Sequence, residues 1–282
     1  MFSLIDLLNQ QPSAAGYLEK IGILDIGAMI IDGSKVEYSG LVDSGLARVA
    51  GFEPVKSECD RLNETHNSKG LYFYPYFIGD GTEQTFHLTN RTMTASLYEP
   101  NTPLLDSFIN LGELTIPVSQ EKVKTQRLDD IPEIFSPVDL LKMDIQGAEL
   151  QALQGAREKV LKNILVIQAE VCWVKLYKNQ PLFSEVELFL REQGFVLHRF
   201  TGFGTRPFKI TSGQVVSGSG QQILWSDAIF IRDFNRLDLL NNSQLLKSAM
   251  IMHEAYGSID LVCVYLEEFD KRTGSHIAPL YV

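Results

Sequence analysis

Short apolar runs bounded by turn residues recur from Ile21 to Phe230, and several of them alternate with segments of helical period. This alternation is typical of an α/β fold, in which helices cover both faces of a mostly parallel sheet. The pattern predicts seven strands, at Gly22–Ile26, Arg48–Phe52, Tyr72–Ile78, Val138–Met143, Ile164–Glu170, Phe195–Phe200 and Ile223–Ile231.

Apolar positions at helical spacing follow the fourth and fifth predicted strands. GAELQALQGAREKVL, residues 147–161, predicts one helix, and LFSEVELFLREQG predicts another that stops at Gly194. The tail predicts two further helices broken at Gly257, with Ser258 as the cap of the second. Segment 201–222 is rich in Gly, Ser and Thr, which indicates a long hairpin connection or surface loop.

Composition narrows the class of protein. With 282 residues, 45% hydrophobic and 21% charged, the chain can bury a full core. The net charge of −10 and the lack of any Lys/Arg-rich block disfavour a nucleic-acid partner. No apolar run approaches the roughly 18 residues of a membrane span. The opening MFSLIDLLNQQPSAAG lacks the basic start of a secretory signal, and three widely spaced cysteines suit a reducing compartment, so we expect a cytoplasmic protein.

Acidic side chains stand where the first two predicted strands end. Asp25 lies inside GILDIGAMIIDG, and Gly27 with Ala28 forms the turn after it, where small residues let a ligand approach the backbone. The alternative is a tight turn with nothing bound. Glu53 closes the second strand, and a carboxylate there can accept hydrogen bonds from two ribose hydroxyls or simply stay solvated. Because one β-α-β unit separates Asp25 from Glu53, both are expected at the same rim.

Three later segments also place acidic side chains at the ends of predicted strands. Gly79 and Asp80 leave an aromatic strand in YFIGDG, where they either meet an adenine or form a turn between two strands. Asp144 ends the central strand in LLKMDIQGAE and is expected in the middle of the crevice, with a cationic, metal or hydroxyl partner. Glu149 either contributes to the site or favours the dipole of the next helix. Glu170, closing ILVIQAE, either positions a substrate or is structural.

These segments together resemble the FkbM family of S-adenosylmethionine-dependent methyltransferases. The family signature, Lys-x-Asp-x-x-Gly-Ala-Glu ending in Leu-x-Gly-Ala, is matched by Lys142, Asp144, Gly147, Ala148, Glu149, Leu153, Gly155 and Ala156. The stretches FEP at 52–54, LYKNQPLFSEVELFLREQGF at 176–195 and ILWSDAIFIRD at 223–233 are also similar. The sequence departs from the family pattern at one turn, where Met29 stands in place of the usual Asn and the next glycine is Gly33.

The resemblance implies a Rossmann-like class I methyltransferase fold with seven strands, the last one antiparallel, and a C-terminal helical extension. It divides the chain into an N-terminal helical segment, a methyltransferase domain and the extension, at residues 1–20, 21–233 and 234–282. The implied cofactor is S-adenosylmethionine, which leaves as S-adenosylhomocysteine. Its implied contacts are Asp25, Gly27 and Ala28 to the methionine part, Glu53 to the ribose, Gly79 and Asp80 to the adenine, and Asp144 near the sulfonium and the acceptor.

The implied reaction is O-methylation of a hydroxyl on a small molecule or glycan, such as a sugar, lipid or polyketide. We expect Asp144 to orient cofactor and acceptor, and Glu170, or a histidine such as His198, to act as the base. A divalent cation held by Asp144 with Glu149, Glu170 or Asp227 is an alternative activator, although the five histidines show no metal-ligand spacing.

Two functions from other classes stay open at this point. A nicotinamide-dependent oxidoreductase also places an acid after its second strand, but DIGAMIIDG lacks the G-x-G-x-x-G pattern. The other open function is a methyltransferase-like module that binds a ligand without catalysing a reaction. It stays open because the turn around Met29 differs from the family pattern. The helical tail either covers the site or forms a homodimer contact.

Overall fold

The computed structural model describes residues 3–28, 36–66, 70–210 and 220–282. Met29 and Gly33, where the sequence departs from the family pattern, lie outside these residues. The strands are β1 Ile21–Ile26, β2 Ala47–Phe52, β3 Leu71–Tyr74, β4 Glu83–Thr89, β5 Pro117–Lys124, β6 Leu140–Met143, β7 Val166–Cys172, β8 Phe195–Phe200, β9 Gly204–Arg206 and β10 Gln222–Arg232.

The central sheet has the strand order β3-β2-β1-β6-β7-β10-β8, and β9 pairs with β10 as an eighth strand. Strands β3, β2, β1, β6 and β7 are parallel, whereas β10 is antiparallel to both β7 and β8. The prediction of a mostly parallel sheet whose last strand is antiparallel is therefore confirmed. The order reverses at β1 and β6, which are neighbours, and this is the place where open α/β sheets bind ligands.

The helices are α1 Leu4–Asn9, α2 Ser39–Asp43, α3 Lys56–His66, α4 Thr102–Leu105, α5 Glu149–Gln154, α6 Val160–Asn163, α7 Phe183–Glu192, α8 Asn242–Glu254, α9 Ile259–Thr273 and α10 Ala278–Tyr281. Within the described ranges, none of them combines the length and the apolar composition needed to cross a bilayer.

Both faces of the sheet are buried, as the side chains of β1 show. Ile21 and Ile23 belong to a core shared with α1, α8, α9 and α10, while Leu24 and Ile26 belong to a second core shared with α5, α6 and α7. Alternate residues of a strand point to opposite faces, so this one strand contributes to both cores. The N-terminal helix and the tail helices thus pack in one layer; the division of the chain at residues 20 and 233 stays a prediction.

Residues 75–139, between β3 and β6, form an insert that the apolar pattern did not reveal. Within it β4 and β5 pair as a separate antiparallel two-stranded sheet. The third predicted strand, Tyr72–Ile78, ends early at Tyr74, and Ile78 instead forms an isolated bridge with Gln126. Pro75 follows Tyr74 directly and has no N–H to give to a ladder, which explains the early end.

The predicted helix over 147–161 is wrong in its continuity, because α5 ends at Gln154 and α6 begins at Val160. The carboxylate of Asp129 accepts hydrogen bonds from the backbone N–H groups of Glu158, Lys159 and Val160, at 2.7, 3.0 and 2.8 Å. A side chain from the insert thus caps the new helix start.

The helix stops were predicted better than the helix cap. Gly194 and Gly257 both have positive φ, +81° and +60°, after α7 and α8. Ser258 stands at the N-cap of α9 but makes no capping hydrogen bond; its hydroxyl lies 2.6 Å from His198 Nε2 instead.

Candidate functional site

A cavity of about 540 Å³ opens where β1, β2, β6 and β7 end. Its volume lies within the roughly 300–1,000 Å³ of small-molecule sites. Gly27, Glu53, Asp144 and Glu170, four of the predicted site residues, line it together. The insert supplies the opposite wall.

Gly27 sits where the turns after β1 and β6 meet. Its φ is +77°, and a Cβ there would overlap the backbone carbonyl of Asp144. The amide of Asp144 in turn donates to the carbonyl of Ile26 at 3.0 Å. Glycine is therefore required, and its exposed backbone faces the cavity. Ala28, which follows, is buried and donates its N–H to Phe52 O at 3.2 Å.

Asp25 lies below the rim and is 1% exposed. Its carboxylate accepts a hydrogen bond from the Tyr38 hydroxyl at 2.5 Å and pairs with Lys142 Nζ at 3.3 Å. Burial by itself would lower the pKa of Lys142, but Asp25 and then Asp144 outweigh it and hold that pKa above its usual range. Asp25 is thus part of a buried ion pair, and it is Lys142, not Asp25, that lines the cavity.

Glu53 is 3% exposed and lines the cavity directly after β2. Its Oε1 accepts the backbone N–H of Val55 at 2.8 Å, and no other donor to this carboxylate is found among the described residues. Burial raises the pKa of Glu53, because a charged carboxylate loses hydration there. The side chain consequently has an unfilled acceptor beside an open space.

The Gly79–Asp80 segment forms a turn. Gly79 donates its N–H to Gln126 O at 3.0 Å, and Asp80 Oδ1 accepts from both the N–H and the hydroxyl of Thr82, at 2.9 and 2.6 Å. Gly79 and Asp80 are not among the residues that line the cavity, whereas Phe77 and Ile78, which precede this turn, are. An apolar surface thus stands where the resemblance implies the adenine.

Asp144 ends β6 at the centre of the site and is exposed. Its Oδ1 accepts a hydrogen bond from Gln146 Nε2 at 2.7 Å. The expected cationic, metal or hydroxyl partner is therefore replaced by an amide, since exposure removes the desolvation cost on which that expectation rested.

Gln146 is the site residue that the sequence did not indicate. It has φ +55°, in the left-handed region that non-glycine residues seldom adopt. Its Nε2 also lies 3.5 Å from Glu170 Oε1, its Oε1 accepts from the Tyr177 hydroxyl at 2.8 Å, and its carbonyl accepts from the Ser96 hydroxyl at 2.7 Å. Gln146 thus connects Asp144 and Glu170 to the insert. Its only signal was its place between Asp144 and Gly147, where the strand must turn into a helix.

Glu149 closes the same turn from the start of α5. Its Oε1 accepts the N–H groups of Ile145 and Gly147 at 2.9 and 3.2 Å. Burial, only partly opposed by these donors, raises the pKa of Glu149 to about 7. The carboxylate shapes the signature loop, a role more specific than the favourable dipole interaction we expected.

Glu170 lies two residues before the end of β7, because the strand runs on to Cys172 and does not stop at Glu170 as predicted. It stands opposite Asp227 in the β7–β10 ladder. Burial and then the charges of Asp144, Glu149 and Asp227 raise its pKa well above the ordinary value. Burial also raises the pKa of Asp227. Perturbed carboxyl groups in a cleft are typical of functional sites.

His198, the other candidate base, bonds to Ser258 and is not among the residues lining the cavity. Over the described ranges, no group of three or more His, Cys, Asp or Glu side chains is arranged to hold a metal ion.

Comparison with known proteins identifies the family. Residues 25–197 match the methyltransferase FkbM domain, which is more than half of the chain. The chain belongs to the FkbM methyltransferase family. No match to a curated protein was found.

Among solved structures, the chain is similar to an FkbM methyltransferase from Methylobacillus flagellatus, with 16% identity and a TM-score of 0.38 over 79% of this chain and 47% of that one. It therefore spans about half the length of that relative. It is also similar to a TehB-like SAM-dependent methyltransferase from Corynebacterium glutamicum, with 12% identity and a TM-score of 0.34 over 83% of this chain and 89% of that one.

The described residues fit the cofactor that an FkbM methyltransferase implies. Glu53 offers a buried acceptor to ribose hydroxyls, Phe77 and Ile78 offer an apolar surface to a flat base, and Gly27 exposes backbone at the β1 turn. The acid Asp144 lines the same cavity at the end of β6, and it is the residue that the resemblance places near the sulfonium.

Proposed function

We propose that this FkbM methyltransferase uses S-adenosylmethionine to methylate a hydroxyl oxygen of a small-molecule acceptor. The observation that carries the proposal is that Glu53, Asp144 and Glu170, at or near the ends of three strands, line one cavity that continues into the insert. A carboxylate that can bind ribose hydroxyls, and two further acids next to an apolar space, are what a sulfonium donor and an acceptor hydroxyl need.

The cofactor would be held by Gly27 at its methionine end, by Glu53 at its ribose and by Phe77 and Ile78 at its adenine. Asp25 and Ala28 lie within two residues of Gly27 in the chain, and Gly79 and Asp80 lie within two residues of Ile78. Their contacts with the cofactor stay predictions.

The bound cofactor supplies an activated methyl group whose leaving sulfur needs no protonation. The protein then mainly has to align the acceptor oxygen, which supplies about 7 to 11 kcal/mol. In our proposal Asp144 orients the acceptor, fixed by the Gln146 amide at 2.7 Å. Glu170 accepts the hydroxyl proton, and such a base adds a factor of roughly 10² to 10⁴. Its raised pKa brings its proton affinity closer to that of the group it must deprotonate.

Calorimetric titration with S-adenosylhomocysteine and with NAD tests the cofactor assignment. The first should bind and the second should not. Glu53→Gln should weaken S-adenosylhomocysteine binding by about 10- to 100-fold, because a hydrogen bond to a charged acceptor contributes about 1.5 to 3 kcal/mol.

The matched control is Glu64→Gln, an exposed glutamate on α3, which should leave the affinity unchanged. Preferential binding of NAD would restore the oxidoreductase alternative. Binding of neither ligand would favour a non-catalytic module, and equal effects of the two substitutions would remove Glu53 from the ribose site.

A further inference from the structure

The cavity has an apolar half that the cofactor roles above do not use. The insert contributes a set of apolar lining side chains, which we call the insert compartment: Phe86, Met93, Leu97, Leu105, Leu111 and Leu114. The insert is fixed over the rim by the Ser96–Gln146 hydrogen bond and by bridges from Pro100 to Tyr177 and from Phe108 to Phe208. These contacts hold the apolar half of the cavity in place beside the acids.

The far wall of this half lies well away from the ribose end. Glu53 follows β2, whereas Trp225 belongs to β10, four strands further along the sheet. At about 4.8 Å per strand the two strands are roughly 19 Å apart. Trp225 and its neighbour Arg206 on β9 nevertheless line the same cavity as Glu53. Their wall is on the acceptor side.

Arg206 places a charge in that wall. Its guanidinium lies over the Trp225 ring, 5.0 Å from the centroid, and Nη1 donates to the carbonyl of Thr205 at 2.9 Å. Among the residues that the structure describes, no carboxylate pairs with Arg206 or with Arg91, which also lines the cavity, whereas Arg191 outside it pairs with Glu187 at 2.6 Å. The chain has a net charge of −10, yet within the described ranges neither of these two cavity-lining cations forms an ion pair with a carboxylate.

We propose that the acceptor is an amphipathic anion, with an apolar body in the insert compartment and an acidic group bound by Arg206, and that Arg91 contributes positive charge to the same cavity. The inference rests on the proposed function. A guanidinium held over an indole can present its free N–H groups to a carboxylate, sulfonate or phosphate group. Binding at that end leaves the body of the acceptor to carry its hydroxyl toward Asp144 and Glu170.

Two fluorescent probes separate charge from apolar contact. 8-Anilino-1-naphthalenesulfonate and N-phenyl-1-naphthylamine share one arylamine body, and only the first carries an acidic group. Each is titrated into protein saturated with S-adenosylhomocysteine. Arg206→Gln should weaken sulfonate binding by about 10-fold or more and leave the neutral probe within about twofold. Arg206→Lys, which keeps the charge but loses the planar fork, should give a smaller loss.

Arg191→Gln, on the exposed side of α7, is the matched control and should affect neither probe. Equal losses for both probes, or an unchanged sulfonate affinity, would overturn the inference. It would also be overturned if Arg206→Gln weakened S-adenosylhomocysteine as much as the sulfonate, because Arg206 would then belong to the cofactor carboxylate. If the wild-type protein binds no S-adenosylhomocysteine, the proposed function fails, and the same titrations without it still decide whether Arg206 binds an anion.

Discussion

Replacing Glu149 by Gln isolates the electrostatic cost of the buried acid in the signature loop. Glu149 is 4% exposed, and Oε1 holds the N–H groups of Ile145 and Gly147. Glutamine keeps an acceptor oxygen at the same position and cannot ionise. The substitution therefore removes the charge and retains the loop contacts.

The magnitude follows from the raised pKa. Burial moves the pKa of Glu149 from 4.5 to about 7, so the folded protein binds more protons than the unfolded chain between these values. The resulting stabilisation is complete below pH 4.5 and is lost as the pH rises through 7. Integrated over this titration, the wild type loses about 0.8 kcal/mol by pH 5 and about 3.4 kcal/mol by pH 8. The variant has neither loss. Its stability relative to the wild type should therefore differ by about 2.5 kcal/mol between pH 5 and pH 8.

Urea unfolding of both proteins at pH 5 and pH 8 measures this double difference, which is the change with pH in the free energy of unfolding of the variant relative to the wild type. The free energy of unfolding of Glu149→Gln, relative to wild type, should rise by about 2.5 kcal/mol between the two pH values. Titrating groups that do not interact with Glu149 cancel because both proteins carry them, and the exposed Glu64→Gln should show no such rise. A double difference below about 0.5 kcal/mol would mean that burial does not raise this pKa in the folded protein.

Four further substitutions address the buried ion pair and the proposed catalytic acids. Lys142→Met should lower the free energy of unfolding by about 3 to 5 kcal/mol, because it leaves the buried Asp25 without its cation, and Asp25→Asn in the same chain should recover most of the loss in urea unfolding. With any acceptor found by transfer of labelled methyl, Glu170→Gln should lower kcat by about 10² to 10⁴ while S-adenosylhomocysteine affinity stays within about twofold, and Asp144→Asn should also lower kcat. The wild-type kcat should rise with pH as Glu170 loses its proton, with a midpoint above the ordinary glutamate range, and a rise that persists in Glu170→Gln would assign the base elsewhere.

The central sheet was predictable because its strands are buried on both faces. Runs such as ILDI and LVIQAE stay apolar whichever side they face, and each is bounded by turn residues. In contrast, β4 and β5 escaped prediction since the insert leaves them largely solvated: in PVSQEKVK only Val123 is buried. A strand whose side chains meet water carries no period-2 apolar signal. The third missed strand, β9, has only three residues.

The site was predictable at strand ends and less so between them. Glu53, Asp144 and Glu170 follow apolar runs directly, so topology alone gathers them at one rim. Asp25 shows the limit of that logic, because the alternation of β1 turns its side chain toward Tyr38 and Lys142. Arg206 lay in a Gly/Ser-rich segment without pattern, and its position over Trp225 depends on a pairing that only the fold reveals.

The hydrogen bonds of Gln146 also connect ligand binding at one end of the cavity to ligand binding at the other. Its carbonyl is tied to Ser96 of the insert, and its amide is tied to Asp144. A molecule that shifts segment 91–97 should therefore shift the backbone that sets the orientation of Asp144, the acid that we propose to orient the acceptor. Occupancy at one end should alter the dissociation constant at the other, and thermodynamic reciprocity requires the two factors to be equal.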